Sequence, residues 1–366
     1  MSTTIDDAVN ERTYADHSRP LLWRVLVTRE FAIIAMLVLV YFYAYGNVTN
    51  FDGPLTLYYL FLDIAPIMLI ALPMTLVIIT GEIDLSVASI MGITSVMLGI
   101  AYHDFGLSMP VALVLALCVG AVCGAFNGFL VAYVGLPSLA VTIGTMALFR
   151  GIAVGLLGTE AITDFDDKWT DLATARIGGD SSYPVILVAF AILAIGFVLL
   201  LHFSTFGRGV YEIGLNDQAA RFTGVNVEST KFWLFLLAGT VSGFAGIYYT
   251  LRYGSARGDN AEFYELQVIA AVLLGGVSIF GGRGALHGVV AGVLLIGVLS
   301  SALRLENVST NITNIVIGAL LVLSVISGSV AAWASKLRPR RTAKSPPTAA
   351  QPSRSPRNGE QKSPEE

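Results

Sequence analysis

The chain is poor in charge, cysteine and histidine, and each shortage excludes something. Only 13% of its 366 residues are Asp, Glu, Lys or Arg, against roughly a quarter in an average soluble protein. The two cysteines, Cys118 and Cys123, lie five apart inside one apolar run. On a helix they point to different faces, so no disulfide framework follows. His17, His103, His202 and His287 are scattered and give no metal-ligand spacing, so no metal is expected. None of the five lysines follows a glycine, so the Gly-Lys-Ser/Thr ending of a P-loop is missing. Gly-x-Ser-x-Gly and His-Glu-x-x-His are missing too, which speaks against an enzyme. A net charge of -4 leaves no basic face for nucleic acid.

What remains is apolar. Hydrophobic residues make up 55% of the chain and the mean hydropathy is +0.71. One soluble core of this size cannot hide so much apolar surface, so lipid must be part of the solvent. A bilayer crossing takes about 20 mostly apolar residues. Ten such segments are expected, at 31–46, 55–79, 85–102, 107–134, 138–157, 183–204, 232–252, 265–281, 285–303 and 312–333. The fold class is therefore all-α and polytopic. Residues 1–30 form a polar tail without a signal-peptide pattern, expected to be retained. Residues 334–366 are rich in Pro, Ser, Lys and Arg, a composition that predicts disorder.

Basic residues set the orientation. With ten crossings, both tails, segment 205–231 and the turn at 282–284 share one side. They hold 16 of the 22 Lys and Arg residues, among them Arg12, Arg208, Lys231, Arg283 and Arg340. The other side holds Lys168, Arg176, Arg252, Arg257 and Arg304, and Arg150 sits within a span. Both termini are thus expected in the cytoplasm. Outside lies an acidic, Thr-rich stretch at 158–182. Inside, Asp217 to Phe222 reads as one or two helical turns between Gly214 and Gly224, with Asn216 or Asp217 as N-cap.

Two glycine triplets at spacing four, Gly120/Gly124/Gly128 and Gly284/Gly288/Gly292, predict faces for close helix packing. Their offset is compatible with an internal repeat. Ionisable groups within apolar stretches ask for a partner or a pathway. These are Asp63, Glu82, Asp84 and Arg150. Gly81-Glu82-Ile83-Asp84-Leu85-Ser86 reads either as a turn at the cytoplasmic edge or as a helix break lining a cavity. Asp84 or Ser86 suits the cap of the helix that follows. Arg150 either snorkels, pairs with Glu82, Asp84 or Asp63, or binds a hydroxylated or anionic ligand. Asn127 reads as an interhelical hydrogen bond, and with Thr145 it joins the polar candidates for a translocation path.

Four motifs then converge in order. They are Gly81-Glu82-Ile83-Asp84-Leu85-Ser86-Val87, and Pro137-Ser138-Leu139-Ala140-Val141-Thr142-Ile143-Gly144-Thr145 followed by Arg150-Gly151. Gly207-Arg208 leads through Asn216-Asp217-Gln218-Ala219-Ala220 to Gly224-Val225, and Ala270 to Gly276 leads to Phe280-Gly281-Gly282-Arg283-Gly284. Over residues 55–330 this set resembles the membrane permease subunits of bacterial ABC importers for monosaccharides, the ribose, xylose, galactose, rhamnose and autoinducer-2 group. Glu82 departs from the pattern, which has glycine or another small or neutral residue there. With Val87-Ala88-Ser89 and Gly135-Leu136-Pro137-Ser138, it points most toward rhamnose-type permeases.

The resemblance implies an ABC importer permease fold in the bacterial inner membrane. It implies a second permease subunit, identical or not, an ATPase subunit with two nucleotide-binding domains, and an extracytoplasmic sugar-binding protein. No cofactor is expected in this chain, since ATP is used by the separate ATPase. Residues 205–231 become the segment that docks on the ATPase, with Gly207, Arg208, Asn216, Ala219, Ala220, Arg221 and Gly224 as coupling residues. Two other readings share the same residues. One is an ion-coupled secondary transporter with a relay of Glu82, Asp84 and Arg150. The other is a membrane scaffold or enzyme.

Overall fold

Backbone in hydrocarbon must satisfy its own hydrogen bonds, so apolar runs of this length fold as helices. The computed structural model describes residues 29–179 and 181–337 and is built from helices. They are α1 (Arg29–Asn47), α2 (Thr56–Ile79), α3 (Val87–Gly99), α4 (Met109–Ala132), α5 (Ser138–Leu157), α6 (Asp167–Thr174), α7 (Ile186–Phe203), α8 (Thr205–Leu215), α9 (Asp217–Phe222), α10 (Val227–Tyr253), α11 (Tyr264–Leu274), α12 (Leu286–Leu305) and α13 (Thr310–Leu337). A π-helical turn, Ile100–Asp104, extends α3. Among the described residues seven helices are long and apolar enough to cross a membrane, and three shorter apolar ones lie in α1, α11 and α13. Every expected span thus meets a helix. The expected tails fall largely outside the described residues, and α13 continues past residue 333 to Leu337.

Helix α2 is the axis of the bundle. From Ile64 to Ile79 every side chain is buried. Pro66 lies inside it and carries no N–H, which leaves the carbonyl of Leu62 without its helical donor. Arg252 Nη1 donates to that carbonyl at 2.5 Å, and Tyr248 Oη at 3.5 Å. At the rim, α7 exposes Ile192, Ile195 and Leu199, as an apolar helix facing lipid must.

The first glycine triplet packs as its spacing predicts. A β-carbon on Gly120 would lie 2.8 Å from the carbonyl oxygen of Gly239, and one on Gly128 would lie 2.9 Å from that of Phe232. Gly124 meets Gly239 in the same way, so α4 and α10 run backbone against backbone.

The second triplet needs correction. Gly284 precedes α12, which starts only after Ala285, so it lies in a loop. Gly288 and Gly292 do face a neighbour, at Gly275 and Ala271 around the end of α11.

Two more expectations shift. The span predicted at 265–281 is helical only to Leu274. Gly275 and Gly276 end it, the latter at φ +93°, and eleven residues reach about 16 Å, half a bilayer. The irregular stretch that follows satisfies its backbone within the protein, with Ser278 N–H donating to Arg283 O at 2.9 Å and Gly282 N–H to Ile79 O at 2.8 Å. Segment 205–231 holds more helix than its composition suggested. α8 precedes the foreseen α9, and α10 begins at Val227 rather than 232. On the opposite side, Ile162 and Ala256 form a two-way backbone bridge.

Candidate functional site

The break between α2 and α3 is where the polar residues gather. Asp84 and Ser86 are fully buried in it. Asp84 Oδ1 accepts from the Ser86 amide at 2.9 Å and from Ser86 Oγ at 2.6 Å. Asn127 Nδ2, from α4, donates to the same Ser86 Oγ at 2.8 Å. From α5, Ser138 Oγ accepts the Ile83 amide at 3.1 Å, and Thr142 Oγ1 donates to Ile83 O at 3.1 Å. The break is therefore wired to two helices. Ser86 takes the N-cap position of α3, as one of the two expected residues, but makes no side-chain cap bond, and Asp84 is spent on Ser86. Asp84 Oδ2 and Asn127 Oδ1 are buried without a hydrogen-bond partner among the described residues.

Segment 205–231 reaches the same break. Asn216 caps α9, its Oδ1 accepting from the Ala219 amide at 2.9 Å. Gly224, at φ +89°, turns the chain toward α10. Gly207 and Ala220 are buried, whereas Arg208 and Ala219 are exposed. Arg221 pairs with Glu228 near the surface. Gly214, at the end of α8, lies against Ile79 O and Gly282 N, with no room for a β-carbon. Lys231 Nζ then sits 2.6 Å from Glu82 and 2.7 Å from Asp217. The segments that meet here are those the basic residues assign to the inside.

Arg150 differs from its expectation. Its Nη1 donates to Gly258 O at 2.7 Å and Asn260 O at 2.8 Å, and its Nη2 to Ala88 O at 3.1 Å. It thus holds α3, α5 and the 254–263 loop through carbonyls, and it does not ion-pair with Glu82, Asp84 or Asp63. The carboxylates that act on it at longer range are Glu265, Glu262 and Asp259. Hydrogen bonds from Arg257 hold Asp259 below the usual carboxylate range. Thr145 is buried and only back-bonds to Thr142 O at 3.5 Å.

Asp63 belongs to another cluster, toward the N-terminal end of α2, which the basic residues assign to the outside, and there it pairs with both Arg252 and Arg304. A cavity of about 490 Å³ opens beside it, lined among others by Tyr59, Tyr253 and Ser301. Among the described residues no group of His, Cys, Asp and Glu could hold a metal ion.

The structure thus joins Glu82 to segment 205–231 and, through Ser86, Asp84 to Asn127, and leaves Arg150 and Thr145 apart from both. Lys231 is the residue that the sequence motifs passed over. Its signal was its isolation: it is the sole lysine between Lys168 and Lys336.

Among the described residues, an all-helical bundle with seven helices long and apolar enough to cross a membrane, and a buried polar break, is that of a polytopic membrane protein. The model of the branched-chain amino acid transport system / permease component family matches residues 56–325, and the chain belongs to that family. An autoinducer 2 import system permease protein LsrD of Yersinia enterocolitica is 38% identical over 274 residues, 73% of this chain and 82% of its own. That of Photorhabdus temperata is 34% identical over 316 residues, 84% and 93% of the two chains. That of Yersinia pseudotuberculosis is 36% identical over 274 residues, 73% and 81%. No solved structure matches the chain. The protein is an ABC importer permease, and in this family the permease subunit is not an enzyme.

Proposed function

We propose that this permease imports a small polyhydroxylated solute, autoinducer 2 or a monosaccharide, delivered from outside by a binding protein and driven by a separate ATPase. It works as a dimer of permease subunits, with both termini and residues 205–231 on the ATPase side. The observation that carries this reading is the segment's form. Capped helices α8 and α9 are braced on the end of α2, with apolar Leu215 and Phe222 70% and 93% exposed. Apolar side chains that stand out of a loop of mixed charge suit a protein partner.

The relatives named for autoinducer 2 favour that solute over the rhamnose suggested by the motifs. The ion-coupled alternative loses support from the same geometry. Glu82 is held by Lys231 and Arg150 by carbonyls, so the two form no continuous relay with Asp84. The test is uptake by proteoliposomes holding the permease with its ATPase and binding protein. We expect ATP-dependent accumulation of autoinducer 2, outcompeting L-rhamnose, and no ATP binding by the isolated chain. Uptake driven by a proton or sodium gradient without ATP would overturn the reading.

A further inference from the structure

We propose that Lys231 is a positioning residue of the transport cycle, a two-sided ionic link that passes motion of α9 to the break between α2 and α3. The inference rests on 205–231 being the coupling segment, and deepens that reading by naming the joint. Three separate segments meet at one ammonium: Glu82 from the break, Asp217 from the first turn of α9, and Lys231 from the first turns of α10. The lysine side chain is 11% exposed and that of Glu82 16%, so solvent screens their pair little. Asp217, at 41%, is the outer arm.

Beside this link lies a steric stop. Gly214 has backbone of Ile79 and Gly282 where its β-carbon would be, and Gly282 N–H donates to Ile79 O at 2.8 Å. A shift of α8 and α9 must therefore push the end of α2, or pull on Glu82 through Lys231. Past Glu82 the movement has a fixed outlet. Ile83 is bonded to Ser138 and Thr142 of α5, and Ser86 to Asn127 of α4. The chain of contacts runs from the loop helix to two spans without a gap. It also gives Glu82, the residue that departs from the resembled pattern, a partner and a task.

The consequence is coupling at a distance, and it is measurable without solute. Asp217 bonds to Lys231 and not to the break, yet Asp217→Asn should loosen the break. In the purified full-length chain, hydrogen–deuterium exchange of the amides of 80–86 reports this, since Ile83 and Ser86 amides are bonded there. We expect Asp217→Asn and Lys231→Met each to speed that exchange at least about three-fold, as members of one ionic network do. Lys231→Arg should keep it near wild type. Arg257→Gln, which breaks an exposed pair at the other end of the bundle, should not change it.

In the reconstituted complex, Lys231→Met should lower autoinducer 2 moved per ATP hydrolysed by about ten-fold, and Lys231→Arg should restore most of it. Wild-type exchange at 80–86 in Asp217→Asn would overturn the link, as would an unchanged transport-to-hydrolysis ratio in Lys231→Met. Should Lys231→Met fail to fold, Asp217→Asn decides the question, because its site is in the exposed loop helix. A wild-type complex without ATP-driven uptake would sink the permease reading instead, and the exchange measurement still judges the link.

Discussion

Helix α2 is anchored at both ends by ion pairs, and the two anchors differ in kind. At the outer end Asp63 is pinned by Arg252 of α10 and Arg304 of α12, and Arg252 also takes the Leu62 carbonyl that Pro66 leaves free. Those partners all belong to packed spans. At the inner end Lys231 joins the break to a short helix that lies in a loop. The outer cluster ties packed spans to each other, whereas the inner one ties the break to a short helix outside the spans. On the role proposed for Lys231, similar chemistry serves stability at one end and transmission at the other.

The comparison breaks most sharply at Arg252. Its side chain is 8% exposed, and Arg252→Leu leaves Asp63 with a single, more exposed partner and Leu62 O with only the 3.5 Å hydrogen bond from Tyr248. Removing one member of a buried pair costs about 3–5 kcal/mol. Folded yield and thermal unfolding temperature in detergent should both fall. Wild-type values would show that the outer cluster is not structural.

Next comes Ala220→Pro on the inner side. The Ala220 amide donates to Asn216 O at 3.0 Å, and proline removes that bond and clashes in the turn. The local cost is about 3 kcal/mol, but it falls on α9 and not on the bundle. Membrane insertion and yield should hold while ATP-driven uptake is lost. If yield fell as in Arg252→Leu, the two ends would not differ.

A third variant tests the middle. Arg150→Leu removes hydrogen bonds to Gly258, Asn260 and Ala88 but strands no partner charge. Hydrogen bonds to charged groups are worth about 1.5–3 kcal/mol each, so folded yield should fall. Normal stability with lost uptake would give Arg150 a role in ligand handling or gating.

Much of the frame was legible in the sequence. The span at 138–157 coincides with α5, because Pro137 precedes it and Gly158, at φ +64°, ends it. The Gly120 triplet signalled close packing because only glycine admits a facing backbone. The span at 265–281 was misread because Val277, Ile279 and Phe280 keep the stretch apolar past the glycines that end α11. Hydropathy registers composition and not hydrogen bonding. The carbonyl partners of Arg150 were hidden for a similar reason, since every residue carries a carbonyl. Lys231 was hidden because its partner Glu82 is distant in sequence and Asp217 read as a cap of its own short helix.

The smallest effect is expected at Arg221, and it sharpens the contrast within the inner end itself. Arg221 and Glu228 pair with side chains 51% and 33% exposed, on the same segment as the more deeply placed Lys231. An exposed pair of this kind contributes about 0–1 kcal/mol and is screened by salt. Arg221→Gln should therefore leave folding, and amide exchange in the break, as they are in wild type. What it removes is a charge on the surface proposed to meet the ATPase. Uptake should drop modestly, by about two- to five-fold, through weaker docking, and low ionic strength should enlarge the gap from wild type. The measurement is uptake against salt concentration in the reconstituted complex. A loss as complete as in Ala220→Pro, insensitive to salt, would place Arg221 inside the transmission path. The distinction between a docking charge and a transmitting one would then fall.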